Sequence, residues 1–241
     1  MINIVVLMAG EGRRFKDAGY GRIKPFIEIF GRMMVERVLD GVKIKDAKYI
    51  LVIRESFFRD YSEELSHIKG KCNNVSFTSV RETTTGALST ALSAYDKITP
   101  FDPVVFIDSD NLFDNVEFNK FLDFSIKSDC DACVLTSDGS SENFSYIKLD
   151  AENRFVSEIV EKRAVSNMAI VGAYMFSSGI LFQRCAINTI IYPPREKEYY
   201  MSCAYNTMIG LGERVKYFQM CPSKWKCLGT PEPLKGPMLQ K

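Results

Sequence analysis

Through its first 136 residues the chain alternates short, β-branched apolar runs with segments of helical periodicity, and few architectures accommodate that alternation. "INIVVLM" reads as a buried strand, "MMVERVLDGV" puts Val35, Val38, Leu39 and Val42 at helical spacing, and "YILVI" returns to strand. A helix is predicted over Ser56 to Lys69 and a short strand near Val75 to Val80. "GALSTALSAY" then sets Leu88, Ala91, Leu92 and Tyr95 on one helical face, before "PVVFI" as strand, "VEFNKFLDFSI" as helix and "ACVLT" as strand. Consecutive strands joined by helices pair in parallel through right-handed crossovers, so the expectation is a central sheet with helices on both faces.

From about Ser137 the texture changes. "FSYIKLD", "RFVSEIVEK" and "AIVGAYMF" are strand-like and separated by turn residues, which predicts an antiparallel excursion from a mostly parallel, mixed sheet. Helices are expected at about 178–190 and 202–211. No Pro/Gly/Ser-rich linker, repeat or low-complexity stretch divides the chain. One Rossmann-like α/β domain over 1–241 is therefore expected, its second half forming a wall of whatever site the first half builds.

Bulk properties narrow the function. A hydrophobic content of 46% supplies an ample core, and 31 Lys plus Arg against 30 Asp plus Glu leave no overall field to draw nucleic acid or an anionic membrane. The first apolar run is too short for a signal-peptide core, and no stretch of about eighteen apolar residues occurs, so a soluble, cytoplasmic protein is expected. Seven cysteines without a secretory signal are expected as free thiols, including the Cys130/Cys133 pair in "DCDACVLT". His67 is the only histidine, so a histidine base or a Ser-His-Asp triad has no second candidate.

Anion recognition must then come from local clusters, and "VVLMAGEGRRFKDAGYGRIKPF" is the densest. A strand that ends in Gly10-x-Gly12 offers free backbone N–H groups in a tight turn, and Arg13, Arg14, Lys16, Arg22 and Lys24 follow it. That pattern suits a phosphate cradle, yet it is neither the dinucleotide fingerprint, since Phe15 stands where a third glycine is needed, nor a P-loop. In "VVFIDSDNLF", Asp108 and Asp110 fall at the carboxyl end of a buried strand, where parallel sheets bind ligands. Two carboxylates so spaced suit a hard cation such as Mg²⁺; the alternative is an Asx-turn and cap for the helix after Asp114. "VEKRAV" puts Glu161 and Lys162 at another strand end, and "TTTGALSTA" reads as a helix start capped by Thr85 or Gly86.

Taken in order, these segments resemble the sugar-phosphate nucleotidyltransferase (nucleoside-diphosphate-sugar pyrophosphorylase) family over nearly the whole chain. "MAGEGRRF" is similar to the signature Gly-x-Gly-x-Arg-[Leu/Phe], with Gly10, Gly12 and Arg14 in register, and "KPF" supplies Lys24-Pro25. The resemblance implies nucleotide contacts from Met8, Ala9, Gly10, Glu11, Gly12, Arg14 and Lys24, and nucleobase contacts from Thr85, Gly86 and Ala87. It implies Asp110 as a ligand of Mg²⁺, with either Asp108 or substrate oxygens to complete the coordination. Sugar-phosphate contacts are implied for Asn111, Ser145, Tyr146, Glu161, Lys162, Gly172 and Glu198, with Arg14, Lys24 and Lys162 as the catalytic cations. Residues 1–136 become the nucleotide-binding half and 137–241 the sugar-phosphate-binding half. The close "WKCLGTPEPL" resembles the family's Trp-x-Asp-x-Gly-Thr-Pro, but Cys227 stands where many members have a second metal-binding aspartate. The compact length resembles relatives from capsule and surface-polysaccharide clusters, and a homo-oligomer is in keeping with the family.

The residues suit that chemistry in their own right. A phosphate monoester has a second pKa near about 6, so at neutral pH it attacks the α-phosphorus of a nucleoside triphosphate without a base. The transfer needs in-line geometry and positive charge around the departing pyrophosphate, which Arg14, Lys24, loop amides and an Asp-held Mg²⁺ supply. Two alternatives are a nucleotide-sugar-dependent glycosyltransferase, suggested by the DxD in "DSD", and a nucleotide-binding subunit without turnover, suggested by Cys227.

Overall fold

A computed structural model of the protein describes residues 1–193 and 198–235; residues 194–197 and 236–241, part of the single domain expected over 1–241, lie outside it. Among the described residues a nine-stranded sheet forms the centre. Its strands in chain order are β1 (Asn3–Leu7), β2 (Lys48–Arg54), β3 (Val75–Val80), β4 (Val104–Asp108), β5 (Ala132–Asp138), β6 (Ser145–Leu149), β7 (Val156–Glu161), β8 (Met168–Phe176) and β9 (Val215–Gln219). Strands β3, β2, β1 and β4 lie side by side and parallel. Strand β8 runs antiparallel to β4 and β5, β9 lies parallel to β5, and β6 and β7 form an antiparallel pair that joins β8 at Ala169. Following these senses, β7 and β8 alone oppose the other strands, so the sheet is mixed and mostly parallel.

The apolar runs are continuous because both faces of the sheet are covered. Ile4, Val6, Leu51, Ile53, Val105 and Ile107 point into one core with helices Met34–Gly41, Ser62–Lys71 and Asn115–Lys127. The intervening Val5, Ile50, Val52, Val104 and Phe106 point into a second core with helices Ala87–Leu92, Gly179–Ile191 and Met201–Gly210. Side chains alternate along a strand, so a two-sided core removes the polar positions that a half-exposed strand would carry.

Two helix predictions need correction. The helix expected over Ser56 to Lys69 is two pieces, Phe57–Asp60 and Ser62–Lys71, broken at Tyr61, whose φ of −138° and ψ of 34° are not helical. That break lets the Tyr61 ring meet Phe57 at 5.4 Å and Phe26 at 4.9 Å between centroids, so tertiary ring packing overrides helical continuation. The helix after Gly86 ends at Leu92, and Tyr95, beyond its end, is exposed rather than on the buried face with Leu88 and Ala91. The seven cysteines are free, as the composition implied. No described helix is long and apolar enough to cross a membrane.

Candidate active site

Strand β1 stops at Leu7, and the chain turns over the carboxyl ends of the parallel strands. Met8 and Ala9 are buried, Met8 donating its N–H to Val52 at 2.8 Å, so they anchor the loop rather than present side chains. Gly12 sits at φ 64° ahead of the helix Arg13–Asp17, and an added Cβ would stand 3.4 Å from the Cβ of Lys24. Glycine is required there by conformation. Gly10 is exposed with open space around it.

Lys24 opens a 3₁₀ turn, Lys24–Phe26, with Pro25 in its first turn and Phe26 fully buried against Phe57 and Tyr61. "KPF" is thus an anchor that holds the lysine stem over the sheet. Its Nζ lies 2.7 Å from Asp110 Oδ2. Burial works against the ammonium, but the Asp110 carboxylate, with Asp108 and Cys227 close by, outweighs it and raises the Lys24 pKa.

Asp108 ends β4, and burial with the neighbouring Asp110 charge pushes it up to about 7. The capping role for the following helix falls to Asp114, which accepts from the N–H groups of Val116 and Glu117 at 3.1 Å, leaving Asp108 and Asp110 free of that duty. Asn111–Phe113 pairs antiparallel with Trp225–Cys227, which brings Cys227 opposite Asn111. The Leu228 N–H donates to the Asp110 carbonyl at 2.7 Å. Burial first, and the Asp110 charge second, push the Cys227 thiol up to about 11, so it is neutral at pH 7.

Gly172 lies at φ 75° inside β8, where the register shifts between Ile170 and Tyr174. A Cβ there would fall 2.3 Å from Asn111 Nδ2 and 2.8 Å from Asp108 Oδ2. The bulge and the missing side chain let β8 pass directly against the acidic strand end. Asn111 Nδ2 donates to Asp110 Oδ1 at 3.2 Å, while its own Oδ1 is buried without a partner.

On the facing wall, Glu161 ends β7 and accepts from Ser145 Oγ at 2.6 Å and Ser202 Oγ at 2.9 Å. Lys162 adopts φ 52°, donates its N–H to Phe144 O at 3.1 Å, and lays its Nζ 2.5 Å from the Tyr200 hydroxyl.

These walls enclose a cavity of about 400 Å³ lined by Arg14, Ala87, Asp108, Asp110, Asn111, Ser145, Glu161, Lys162 and Gly172 among the sequence candidates. Arg14 makes no side-chain ion pair among the described residues, so its charge is available. Cys227, Gly229 and Thr230 of the closing "WKCLGT" segment line it too, as do Phe144, Tyr174 and Tyr200, which were not singled out by sequence. The doubled tyrosine in "KEYYMS", next to Glu198, was the available signal for Tyr200; Lys197 of that segment lies outside the described residues.

Other candidates stand elsewhere. Tyr146 does not line the cavity: it is fully buried and its hydroxyl donates to Ser141 O at 2.8 Å. Its neighbour Ser145 faces the site, and strand alternation sends Tyr146 to the opposite side. Thr85 and Gly86 form a brace instead: the Tyr199 N–H donates to Thr85 O and the Leu88 N–H to Tyr199 O, both at 2.9 Å. Gly86, at φ 141°, leaves no room for a side chain, since a Cβ would stand 2.4 Å from Tyr199 O. Gly86 itself is the helix N-cap, with no side-chain cap. Glu11 pairs with Arg13, and both line a second cavity of about 710 Å³ with Gly12, Lys16, Arg22 and Arg54. Arg22 is further shared between Glu28 and Glu64 at 3.6 and 3.5 Å. His67 is away from the cavity, 3.2 Å from Glu36.

The donor set suits Mg²⁺ in part. Two half-buried carboxylates and the orphaned Asn111 Oδ1 gather at one strand end, and Mg²⁺ takes one or two carboxylates with phosphate and water completing its shell. No group of three or more His, Cys, Asp or Glu arranged for a metal occurs among the described residues, and a neutral thiol at Cys227 adds no oxygen.

The family described as Nucleotidyl transferase matches residues 3–235. The solved nucleoside-diphosphate-sugar pyrophosphorylase of Vibrio cholerae RC9 superposes with a TM-score of 0.83 at 17% identity, covering 99% of this chain and 100% of that one. The inositol-1-phosphate CTP transferase of T. maritima gives 0.79 at 15% identity, covering 99% and 93%. At such identities the likeness concerns the fold. The bifunctional protein GlmU of Methanocaldococcus jannaschii is 26% identical over 183 residues, 74% of this chain but 41% of that relative, so the match spans less than half of its length.

Proposed function

The chain belongs to the nucleotidyl transferase family, and from that premise we propose that it moves a nucleoside monophosphate from a nucleoside triphosphate to a sugar 1-phosphate or similar small organic phosphate. Pyrophosphate leaves, and the product is an activated nucleotide sugar of the kind used in surface polysaccharide synthesis.

The observation that carries this reading is the contact of Lys24 Nζ with Asp110 at 2.7 Å, with Arg14 on the same cavity and Glu161–Lys162 across from it. Cations therefore flank the acidic strand end from two sides, the arrangement that a triphosphate and an incoming phosphate both need. Arg14 and the loop amides after Gly10 stabilise charge on the departing pyrophosphate, and Lys24 neutralises the α-phosphate. Lys162 grips the acceptor phosphate, and Glu161, fixed by two serine hydroxyls, accepts from acceptor hydroxyls. Asp108 and Asp110 would hold Mg²⁺, which supplies Lewis-acid charge to the phosphoryl oxygens. The attacking phosphate is already a dianion, in keeping with a sole histidine held by Glu36 far from the cavity.

The test is a matrix of CTP, UTP, dTTP and GTP against sugar 1-phosphates and inositol 1-phosphate with Mg²⁺, followed by pyrophosphate release. Release that requires both substrates is the expected result. Silence across the matrix, together with group transfer from a nucleotide sugar, would instead make the chain a glycosyltransferase; triphosphate binding with no release would make it a binding subunit.

A further inference from the structure

Lys162 has two unusual features that its assignment as a phosphate grip leaves unexplained. Its backbone occupies the left-handed region at φ 52°, which a side chain with a Cβ rarely adopts. Its ammonium is spent on one tyrosine twice over, 2.5 Å from the Tyr200 hydroxyl and 4.4 Å from the Tyr200 ring centroid. A long, half-free lysine normally samples many rotamers, and ordering it on substrate arrival costs affinity.

Tyr200 is itself anchored. It is the N-cap of helix Met201–Gly210, its preceding residue Tyr199 is tied by backbone hydrogen bonds to Thr85 and Leu88, and the Ser202 hydroxyl two residues on donates to Glu161 at 2.9 Å. The hydroxyl also lies beside the Glu198 carboxylate, and both partners raise the charge-favouring environment of Lys162. One helix start thus aligns both residues of the Glu161–Lys162 pair.

We propose that Tyr200 is a positioning residue for the acceptor phosphate: it holds the Lys162 ammonium over the cavity, with hydroxyl and ring together, before substrate binds. This rests on the nucleotidyl-transfer reading above. An ammonium has three donors, so one N–H on Tyr200 leaves two for phosphate oxygens.

Tyr200→Phe keeps the ring and removes the hydroxyl; Tyr200→Leu removes both. With the best substrate pair of the matrix, the acceptor KM is expected to rise about threefold in Tyr200→Phe and about tenfold or more in Tyr200→Leu. That rise exceeds any fall in kcat, while the KM for the triphosphate stays within about twofold. An unchanged acceptor KM in Tyr200→Leu overturns the proposal, as does an equal rise in both KM values, which marks a general structural role. Binding of inorganic phosphate to the resting protein, read from the ¹³Cε resonance of Lys162, needs no turnover. Weaker phosphate binding in both variants supports Tyr200 even where the matrix is silent and the transfer reading falls; equal binding in all three proteins overturns the proposal even where turnover is found.

Discussion

At the scale of single residues, the site turns on which atoms are forced close together. Lys24 and Asp110 are 86 positions apart in sequence, yet their charged ends meet at 2.7 Å with both side chains largely shielded. A buried charge left without its partner is costly, and each also serves the phosphate chemistry proposed above. Lys24→Ala and Asp110→Ala are each expected to lower turnover by about a hundredfold or more, with folded spectra retained; a rate within threefold of the parent in either variant would remove both from the mechanism. Gly172 makes a steric rather than an ionic prediction. A methyl group there adds a strained left-handed backbone to overlap with Asn111 and Asp108, so Gly172→Ala is expected to cost at least about 2 kcal/mol, read as a lowered denaturation midpoint. Arg14, Lys24 and Asp110, which the structure brings to one strand end, stood out in sequence because loops and strand ends carry short local signatures. Tyr200 did not, because its role depends on a lysine 38 residues away. The resemblance assigned Ser145 and Tyr146 alike to the acceptor side, and only the facing of β6 separates the two.

At the scale of elements, the strands were readable because buried parallel strands are continuous apolar runs, and the helices because their buried stripes repeat. Ends and breaks were less readable. Tyr61 interrupts a segment of good helical pattern to complete an aromatic cluster, and residue spacing carries no trace of that partner. How elements are pinned to one another is equally a matter of contacts. Glu36, buried on helix Met34–Gly41, accepts from the Met33 N–H at 2.9 Å and from Lys71 at 3.3 Å, and meets His67 at 3.2 Å, so it ties that helix to Ser62–Lys71. Burial raises its pKa, but these hydrogen bonds and the Lys71 charge outweigh it and hold the carboxyl below the ordinary 4.5. A carboxyl depressed on folding contributes stability that is present above its unfolded value and is lost as pH falls through the folded value. Glu36→Gln is accordingly expected to be less stable than the parent at pH 7, with the gap closing below about pH 4.5; urea midpoints across that range check it, and a gap independent of pH would assign the cluster no electrostatic role.

At the scale of the whole molecule, the cavity exists only because the two halves of the chain close on each other. Arg14, Ala87, Asp108 and Asp110 come from the first half, and Ser145, Glu161, Lys162, Gly172, Tyr200 and Cys227 from the second. A triphosphate with Mg²⁺ that binds this native assembly and not the unfolded chain must stabilise the fold by mass action. At a hundredfold excess over its dissociation constant the gain is about 2.7 kcal/mol, or a rise in Tm of about 5 to 11 °C for a chain of this size. Lys24→Ala is expected to lose most of that rise; an equal shift in the variant would mean that the ligand binds elsewhere. The sequence by itself determined the alternation of strands and helices, the glycine loop with its cations, and the acidic strand end, because each is written in neighbouring residues whose spacing follows backbone geometry. Tertiary structure alone decided that Lys24 sits on Asp110, that Gly172 passes against Asn111, and that Tyr200 rather than Tyr146 faces the cavity. Those outcomes depend on side-chain direction and on chain segments brought together from far apart, and neither is encoded in local spacing.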